Sequence, residues 1–387
     1  MKKRILFIHH HSKFGGSSKS LVEAILLLKK DYDISILCPL GSSLRFFKKN
    51  KIYCFPCLSV PCFDLTEIGI YKKFRLLLLI REFFAFPLFL INLLYIKFFY
   101  KFDIIHLNDS NLIILSPLLK KIYNIPIVCH IRTILFNKNF FFKNLFIQIS
   151  EKYISYFLCI DKACKDSVYF SSNKEIIYNI YNFDKNNFFK KKDNCVRFGF
   201  IGSLDYNKGI DFFFKVIEYI NNFKKLKIKF FIAGNLSVKN NLLAKILDLL
   251  KIKKNINNAL NNFKNKNFTN TFFLGEIQNL NNFYNNLDVI CFPSRMNALG
   301  RPIIEASHYK IPSIVCLKKY HNDTIIDNKT GYVVRFGNLY DFVKKTEYFC
   351  KNKIKINTLG KNAYINIVNV HNKKKNINKL KKIYNKL

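Results

Sequence analysis

Tryptophan is absent from the 387 residues, and acidic groups are scarce: 25 Asp and Glu stand against 64 Lys and Arg, a formal charge of +39. An excess of that size draws phosphates and acidic lipid to the surface, with an affinity that falls as salt screens it. It does not specify nucleic acid. The basic residues are scattered along the chain, and no helix-turn-helix, zinc-finger or RNP-type motif accompanies them, so nucleic acid is not an expected partner. Abundant Lys, Asn, Ile, Phe and Tyr without Trp is what an A/T-rich coding sequence imposes whatever the function. A GxGxxG dinucleotide fingerprint is missing. So is a leader: Met1-Lys2-Lys3-Arg4 runs straight into a short apolar segment, which places the expected chain in the cytoplasm with reduced thiols.

The 11 cysteines show no even spacing. Cys54, Cys57 and Cys62 form the one cluster, without an evident fourth metal ligand, and read as loop thiols. The one DxD triplet, Asp31-Tyr32-Asp33, precedes a strand and reads as a polar turn rather than a metal clamp. The most apolar stretch, 75–99, is interrupted by Arg81, Glu82 and Pro87 and falls short of about 20 clean apolar residues. Lys72, Lys73, Arg75, Lys97 and Lys101 flank it. Two readings stand level: a helix lying in an anionic membrane interface, or a buried helix covering a parallel sheet.

What is present is a large apolar fraction, 50%, and enough length for two domains. Residues 4–9, 33–38, 103–107, 125–129, 157–160 and 176–179 read as strands, apolar at nearly every position, as in parallel strands covered on both faces. Helix-length segments such as 19–30 separate several of them. That is βαβ order and predicts a doubly wound α/β sheet. The pattern breaks at a polar linker, 184–194, and restarts. Strands are expected at 196–201, 228–233, 271–274, 289–292, 313–316 and 331–334, with helices at 211–221, 242–250 and 280–286. The Asn/Lys-rich stretch 255–270 reads as a surface insertion. The expected division is a Rossmann-like domain over 1–183, the linker, a second Rossmann-like domain over 195–338, and basic helices over 339–387. Two such domains make a cleft, and ligands of open α/β sheets bind outside the carboxyl ends of the strands.

Three segments have the composition for a site there. The loop after the first strand carries Gly15-Gly16 before a helix, which lets backbone approach an anion closely. The second segment is Gly202-Ser203-Leu204 with Lys208-Gly209, where a lysine past a strand end can neutralise a phosphate. The third runs from Pro293-Ser294 through Asn297, Leu299, Gly300 and Arg301-Pro302 to Glu305. Pro302 suits the first turn of a helix, whose N-terminus favours an anion, and Glu305 lies about one turn in. His130 ends a buried strand; His106 reads as structural.

Together and in this order, these residues resemble a GT-B glycosyltransferase of family 4, the "glycosyl transferases group 1" type. The similarity is strongest from Val196 to about Val334. It includes Gly-Ser-Leu with Lys208-Gly209, Phe231-Ile232-Ala233-Gly234-Asn235, Phe273-Leu274-Gly275-Glu276, and the E-x7-E element ending at Glu305. In the first half Gly15-Gly16, Asp103-Ile104-Ile105-His106, His130 and Asn182-Phe183-Asp184 match. The resemblance implies two Rossmann-like domains facing a cleft and a retaining sugar transfer from a nucleoside-diphosphate sugar, with no metal or other cofactor. It implies that Lys208 grips the donor diphosphate and Glu305 the ribose, and that His130 faces the sugar. Gly202, Ser203, Gly275, Asn297, Leu299, Gly300 and Arg301 line the donor, and Gly15 and Gly16 the acceptor side or phosphate. Asn297 stands where the first Glu of E-x7-E is usual, and Ser203 where an Arg is common.

The expected function is transfer from a UDP- or GDP-sugar to a glycan or lipid-linked acceptor in cell-surface polysaccharide or lipopolysaccharide assembly. The chain would be cytoplasmic, with peripheral attachment to an anionic inner membrane face left open. The alternatives are a nucleotide-sugar-binding protein without turnover, reflecting Asn297, and a related-fold nucleotide-sugar epimerase.

Overall fold

The computed structural model describes residues 2–64, 66, 77–135, 143–181, 194–236, 256–277, 279–296, 300–317 and 320–387. Of the sequence-based expectations, the linker, the 242–250 helix, Asn182-Phe183-Asp184, Asn297, Leu299 and the flanking Lys72, Lys73 and Arg75 fall outside these residues, wholly or nearly so. The chain forms two compact units, one of residues 1–182 with 371–387 and the other of 183–370.

The first unit is a seven-stranded sheet with every pairing parallel. Its strands are β1 (Arg4–Ile8), β2 (Asp33–Pro39), β3 (Tyr53–Cys57), β4 (Ile104–Leu107), β5 (Ile127–Ile131), β6 (Tyr156–Cys159) and β7 (Lys174–Ile176), in the order β3-β2-β1-β4-β5-β6-β7. Helices cover both faces: α1 (Gly16–Leu28), α2 (Ser42–Lys49), α3 (Leu77–Phe99), α4 (Ser116–Tyr123), α5 (Lys143–Tyr153) and α6 (Lys162–Ser167). Two-sided coverage explains the unbroken apolar runs. In β1, Leu6 and Ile8 join one core cluster while Ile5 and Phe7 join the other.

β3 departs from the expectation of loop thiols. Cys54 and Cys57 are strand residues, and Cys57 is buried in the core. Pro56 lies between them, and a proline is tolerated because β3 is the sheet edge. The 75–99 stretch satisfies one of its two readings on its inner side. α3 buries Phe89, Leu93 and Ile96 in the core under the sheet, with Pro87 inside the helix. Its outer side is exposed.

The second unit repeats the architecture with β8 (Val196–Ile201), β9 (Ile228–Ala233), β10 (Thr271–Gly275), β11 (Val289–Phe292), β12 (Ser313–Cys316) and β13 (Gly331–Val334), all parallel, in the order β10-β9-β8-β11-β12-β13. Its helices are α7 (Ile210–Phe223), α8 (Asn257–Lys264), α9 (Leu280–Asn285), α10 (Arg301–His308), α11 (Leu339–Lys351) and α12 (Lys353–Val370). The 255–270 stretch is not a surface insertion. α8 buries Leu260 and Phe263, and Phe263 stacks on Phe214 of α7 at 4.3 Å between centroids. Its apolar residues are four and three apart, and the many Asn between them obscure the stripe.

The basic tail does not stay together. α11 and α12 belong to the second unit, whereas α13 (Lys373–Lys386) returns to the first and packs beside α1. Tyr384 is fully buried there, and Lys381 pairs with Asp31 at 2.6 Å. The Asp31-Tyr32-Asp33 turn is therefore a docking point for α13, Tyr32 Oη also donating to Asn385 Oδ1 at 2.7 Å.

Candidate functional site

In both sheets the strand order reverses beside the first strand, between β1 and β4 and between β8 and β11. The loops leaving such a switch point diverge and leave a crevice at the carboxyl edge. Each unit places its chemistry there.

In the second unit Gly202, just past β8, has φ +152°. A Cβ on Gly234, just past β9, would lie 1.8 Å from Gly202 O, so the two strand ends touch backbone to backbone. Gly275 follows at the end of β10, its carbonyl accepting from Gly234 N–H at 2.6 Å. The result is a floor without side chains along three adjacent strand ends. The exposed Ser203 donates to Asp205 Oδ2 at 2.6 Å, and Asp205 Oδ1 accepts from Lys208 N–H at 3.0 Å. Asp205 thereby caps the 3-10 turn Tyr206–Lys208.

The loop after β11 locks that turn. Arg295 N–H and Ser294 Oγ both donate to Asn207 O, at 3.0 and 3.2 Å. The Arg295 guanidinium forks onto Asp211 in the first turn of α7, at 2.7 and 2.6 Å, and stacks 3.4 Å from the Tyr206 ring centroid. Gly209, at φ +73°, lets the turn approach Pro293 O where a Cβ would lie 1.6 Å away. Lys208 is thus held at the switch point by contacts that involve none of its charge. Its ammonium lies 3.9 Å from Met296 Sδ and 5.7 Å from the Phe292 ring centroid, and among the described residues it has no ion-pair partner. Burial lowers its pKa, against a smaller upward pull from Asp205. A half-buried ammonium without a counter-ion favours an incoming anion.

Gly300, extended at φ −85°, caps α10, and a Cβ there would meet the Phe292 ring at 2.8 Å. Lys208 and the N-terminus of α10 therefore converge on the same phenyl ring. The unsatisfied N–H groups of that first turn attract negative charge. Pro302 occupies the first turn, as expected. Glu305 is buried, accepting from Tyr284 Oη at 2.9 Å and from Arg301 Nε at 3.2 Å. Arg301 thus holds Glu305 in this structure. Tyr284 was invisible to sequence reasoning: it lies in α9, 21 positions from its partner.

In the first unit Gly15 caps α1, Gly15 and Gly16 are exposed, and a Cβ on Gly15 would meet nothing within 4 Å. His9, at the end of β1, is fully bonded, Nε2 to Ser18 Oγ at 3.1 Å and Nδ1 to Asn108 Nδ2 at 2.9 Å. His10, His11 and Asp109 bring their ligand atoms within 4.8 Å of one another, the one group among the described residues with spacing suited to a metal. His130 lies one residue inside the end of β5. It is buried with His106 and Tyr384 beside a small cavity between α1 and α13. Its Nδ1 is 3.5 Å from the Arg132 guanidinium, its Nε2 has no partner among the described residues, and burial first, then Arg132, holds its pKa well below that of a free imidazole. Arg132 is fixed by Asn108 Oδ1 at 2.7 Å and Asn179 Oδ1 at 3.2 Å.

Two doubly wound parallel α/β units, each with its polar loops at the switch point, define the GT-B class of folds. Solved structures agree over the whole chain. Anabaena Alr3699/HepE in complex with UDP-glucose superposes with a TM-score of 0.75 at 14% identity, covering 99% of this chain and 100% of that one. A mutant of Staphylococcus aureus TarM in complex with fondaparinux, alpha-GlcNAc-glycerol and UDP gives 0.71 at 14% identity over 99% and 100%. Residues 182–366, nearly the whole of the second unit, match the family described as glycosyl transferases group 1. The capsular polysaccharide biosynthesis glycosyltransferase CapM of Staphylococcus aureus is 25% identical over 204 residues, 50% of this chain and 48% of that protein. A Campylobacter jejuni alpha-1,4-N-acetyl-D-galactosaminyltransferase, named for a diNAcBac-PP-undecaprenol-linked substrate, is 28% identical over 41% of this chain and 38% of its own. The chain thus matches about half the length of these relatives, or less.

Proposed function

We propose that the protein transfers a sugar from a nucleoside-diphosphate sugar to an acceptor hydroxyl, with retention and without a metal in the chemical step. The observation that carries this reading is Lys208: a half-buried ammonium with no ion-pair partner among the described residues, set against the same Phe292 ring as the N-terminus of α10. As the bond from the anomeric carbon to the phosphate oxygen breaks, its electron pair moves onto the diphosphate. Lys208 and the first-turn N–H groups of α10 stabilise that developing charge without reorganising. The acceptor oxygen attacks the same face of the sugar, and its proton passes to the departing phosphate oxygen. Glu305 accepts from the ribose hydroxyls. Gly202, Ser203 and Gly275 line the donor.

UDP is the favoured nucleotide because solved structures of this fold hold UDP or UDP-glucose. A lipid-linked acceptor in cell-surface polysaccharide assembly is supported by the names of the two relatives. The test is a thermal-shift panel with UDP, GDP, ADP and NAD on the full chain. Stabilisation by UDP, reduced in Glu305→Ala, is the expected outcome. No shift with any nucleotide, or a shift with NAD alone, would overturn the assignment.

A further inference from the structure

We propose that the outer face of α3 lies in the headgroup region of an anionic membrane leaflet. Of the 26 exposed large hydrophobic side chains among the described residues, ten belong to this one helix, including Phe83, Phe84, Ile91, Leu94, Phe98 and Phe99. Phe83 is 76% and Phe98 83% exposed. Scattered exposed hydrophobics are ordinary, but ten on one helix about 35 Å long form a surface that water disfavours.

Charge selects the occupant. Arg81 and Lys97 are the charged residues on this face, with Lys101 exposed just beyond the helix. The one carboxylate of the helix, Glu82, is turned inward, where it accepts from Cys62 N–H at 3.1 Å and from Arg81 Nε at 2.9 Å. Among its described residues the helix exposes aromatic and aliphatic side chains with Lys97 and the Glu82-paired Arg81 at the rim and no carboxylate, a pattern that complements an acidic bilayer surface. It offers no such match to a second copy of a chain carrying +39.

The helix is long and apolar enough to cross a bilayer, yet its inner row argues for lying in the interface. Phe89, Leu93 and Ile96 are buried in the core, and Tyr123 Oη donates to Leu93 O at 2.9 Å. Crossing would strip these contacts, whereas interfacial docking keeps them and removes only the outer row from water. The segment between β3 and α3 ties the helix to the switch point. Cys62 bonds Glu82, and Phe63 N–H donates to Asn111 O at 2.8 Å, in the 3-10 segment that follows β4. A docked α3 therefore holds the loops of the first unit near the membrane, where a lipid-linked acceptor would arrive. That consequence alone rests on the proposed transfer; the docking does not.

The experiment is sedimentation of the full chain with phosphatidylglycerol–phosphatidylcholine vesicles at low salt. The wild type should pellet with them. Phe83→Ser, Phe84→Ser and Phe98→Ser combined should weaken binding at least about tenfold, since each removes apolar area from the docked face, with the UDP thermal shift unchanged. Lys97→Glu with Lys101→Glu, which leaves the apolar row intact, should weaken it several-fold. A wild type that stays in the supernatant would overturn the proposal. So would a triple serine variant that binds as well as wild type, or one that converts a dimer to a monomer on a sizing column. None of these results would alter the nucleotide shift, so failure of docking and failure of the transfer reading are separable.

Discussion

Lys208 and Glu305 are held in opposite ways. Lys208 is positioned through its backbone, and its charge has no ion-pair partner among the described residues, whereas Glu305 is positioned through its charge, by Tyr284 and Arg301. Removing the first should therefore spare the fold and damage the chemistry. We expect Lys208→Ala to lower the transfer rate by about 2–4 kcal/mol of transition-state stabilisation, with an unchanged melting temperature; a loss under about threefold would refute the assignment. Removing the second should do both. Glu305→Gln keeps the bond from Tyr284 and weakens that from Arg301, so it should cost about 1–3 kcal/mol of stability and also reduce the UDP shift. Denaturant melts with and without UDP separate the two losses.

At the scale of elements, the Lys208 turn depends on a strand loop 84 or more positions away. Arg295 joins the loop after β11 to the first turn of α7 and covers Tyr206. Arg295→Ala should destabilise the second unit by about 1.5–3 kcal/mol, the range for losing hydrogen bonds to a charged group. It should also slow transfer, because Lys208 would no longer be pinned. If Arg295→Ala lowers the melting temperature but leaves the rate untouched, the turn is rigid without its clamp. At the opposite edge of the sheet the buried Arg197 pairs with the half-buried Asp288 at 3.0 Å, joining the start of β8 to the start of β11 without such a link to Lys208. Its loss should unfold the unit rather than tune it.

On the scale of the whole molecule, the first unit is closed by the last helix of the chain. Tyr384 Oη bonds His106 Nδ1 at 2.5 Å under the sheet. Tyr384→Ala should cost about 3–5 kcal/mol, read as an earlier unfolding transition. His106 and His130 are buried in that layer, and burial holds both pKa values well below the free-imidazole value of about 6.5. The unfolded chain therefore binds more protons than the folded one once the pH drops. The stability these histidines contribute is complete above about pH 6.5 and is lost as the pH falls toward their folded values. The melting temperature should fall steadily between neutral pH and about pH 5; a flat profile there would mean that both rings are solvated when folded.

The amino-acid sequence by itself determined the class of fold and most strands, because parallel strands buried on both faces must be apolar at almost every position. It also placed Gly202, Lys208, Gly300, Pro302 and Glu305 at strand ends and helix starts, where short-range turn and capping chemistry marks them. It did not show β3, whose Pro56 and cysteines imitate a loop, or the buried stripe of α8, diluted by asparagine. It left the two sides of α3 undivided, since apolar residues lie all round that helix. Tertiary structure alone decided that Arg295 clamps the Lys208 turn, that Arg301 and Tyr284 hold Glu305, and that α13 leaves the basic tail to seal the first unit. These are charge and hydrogen-bond pairings between residues 21 to 353 positions apart, the nearby Arg301–Glu305 pair excepted. Such pairings leave no periodic trace in the chain, because each depends on where two distant segments meet.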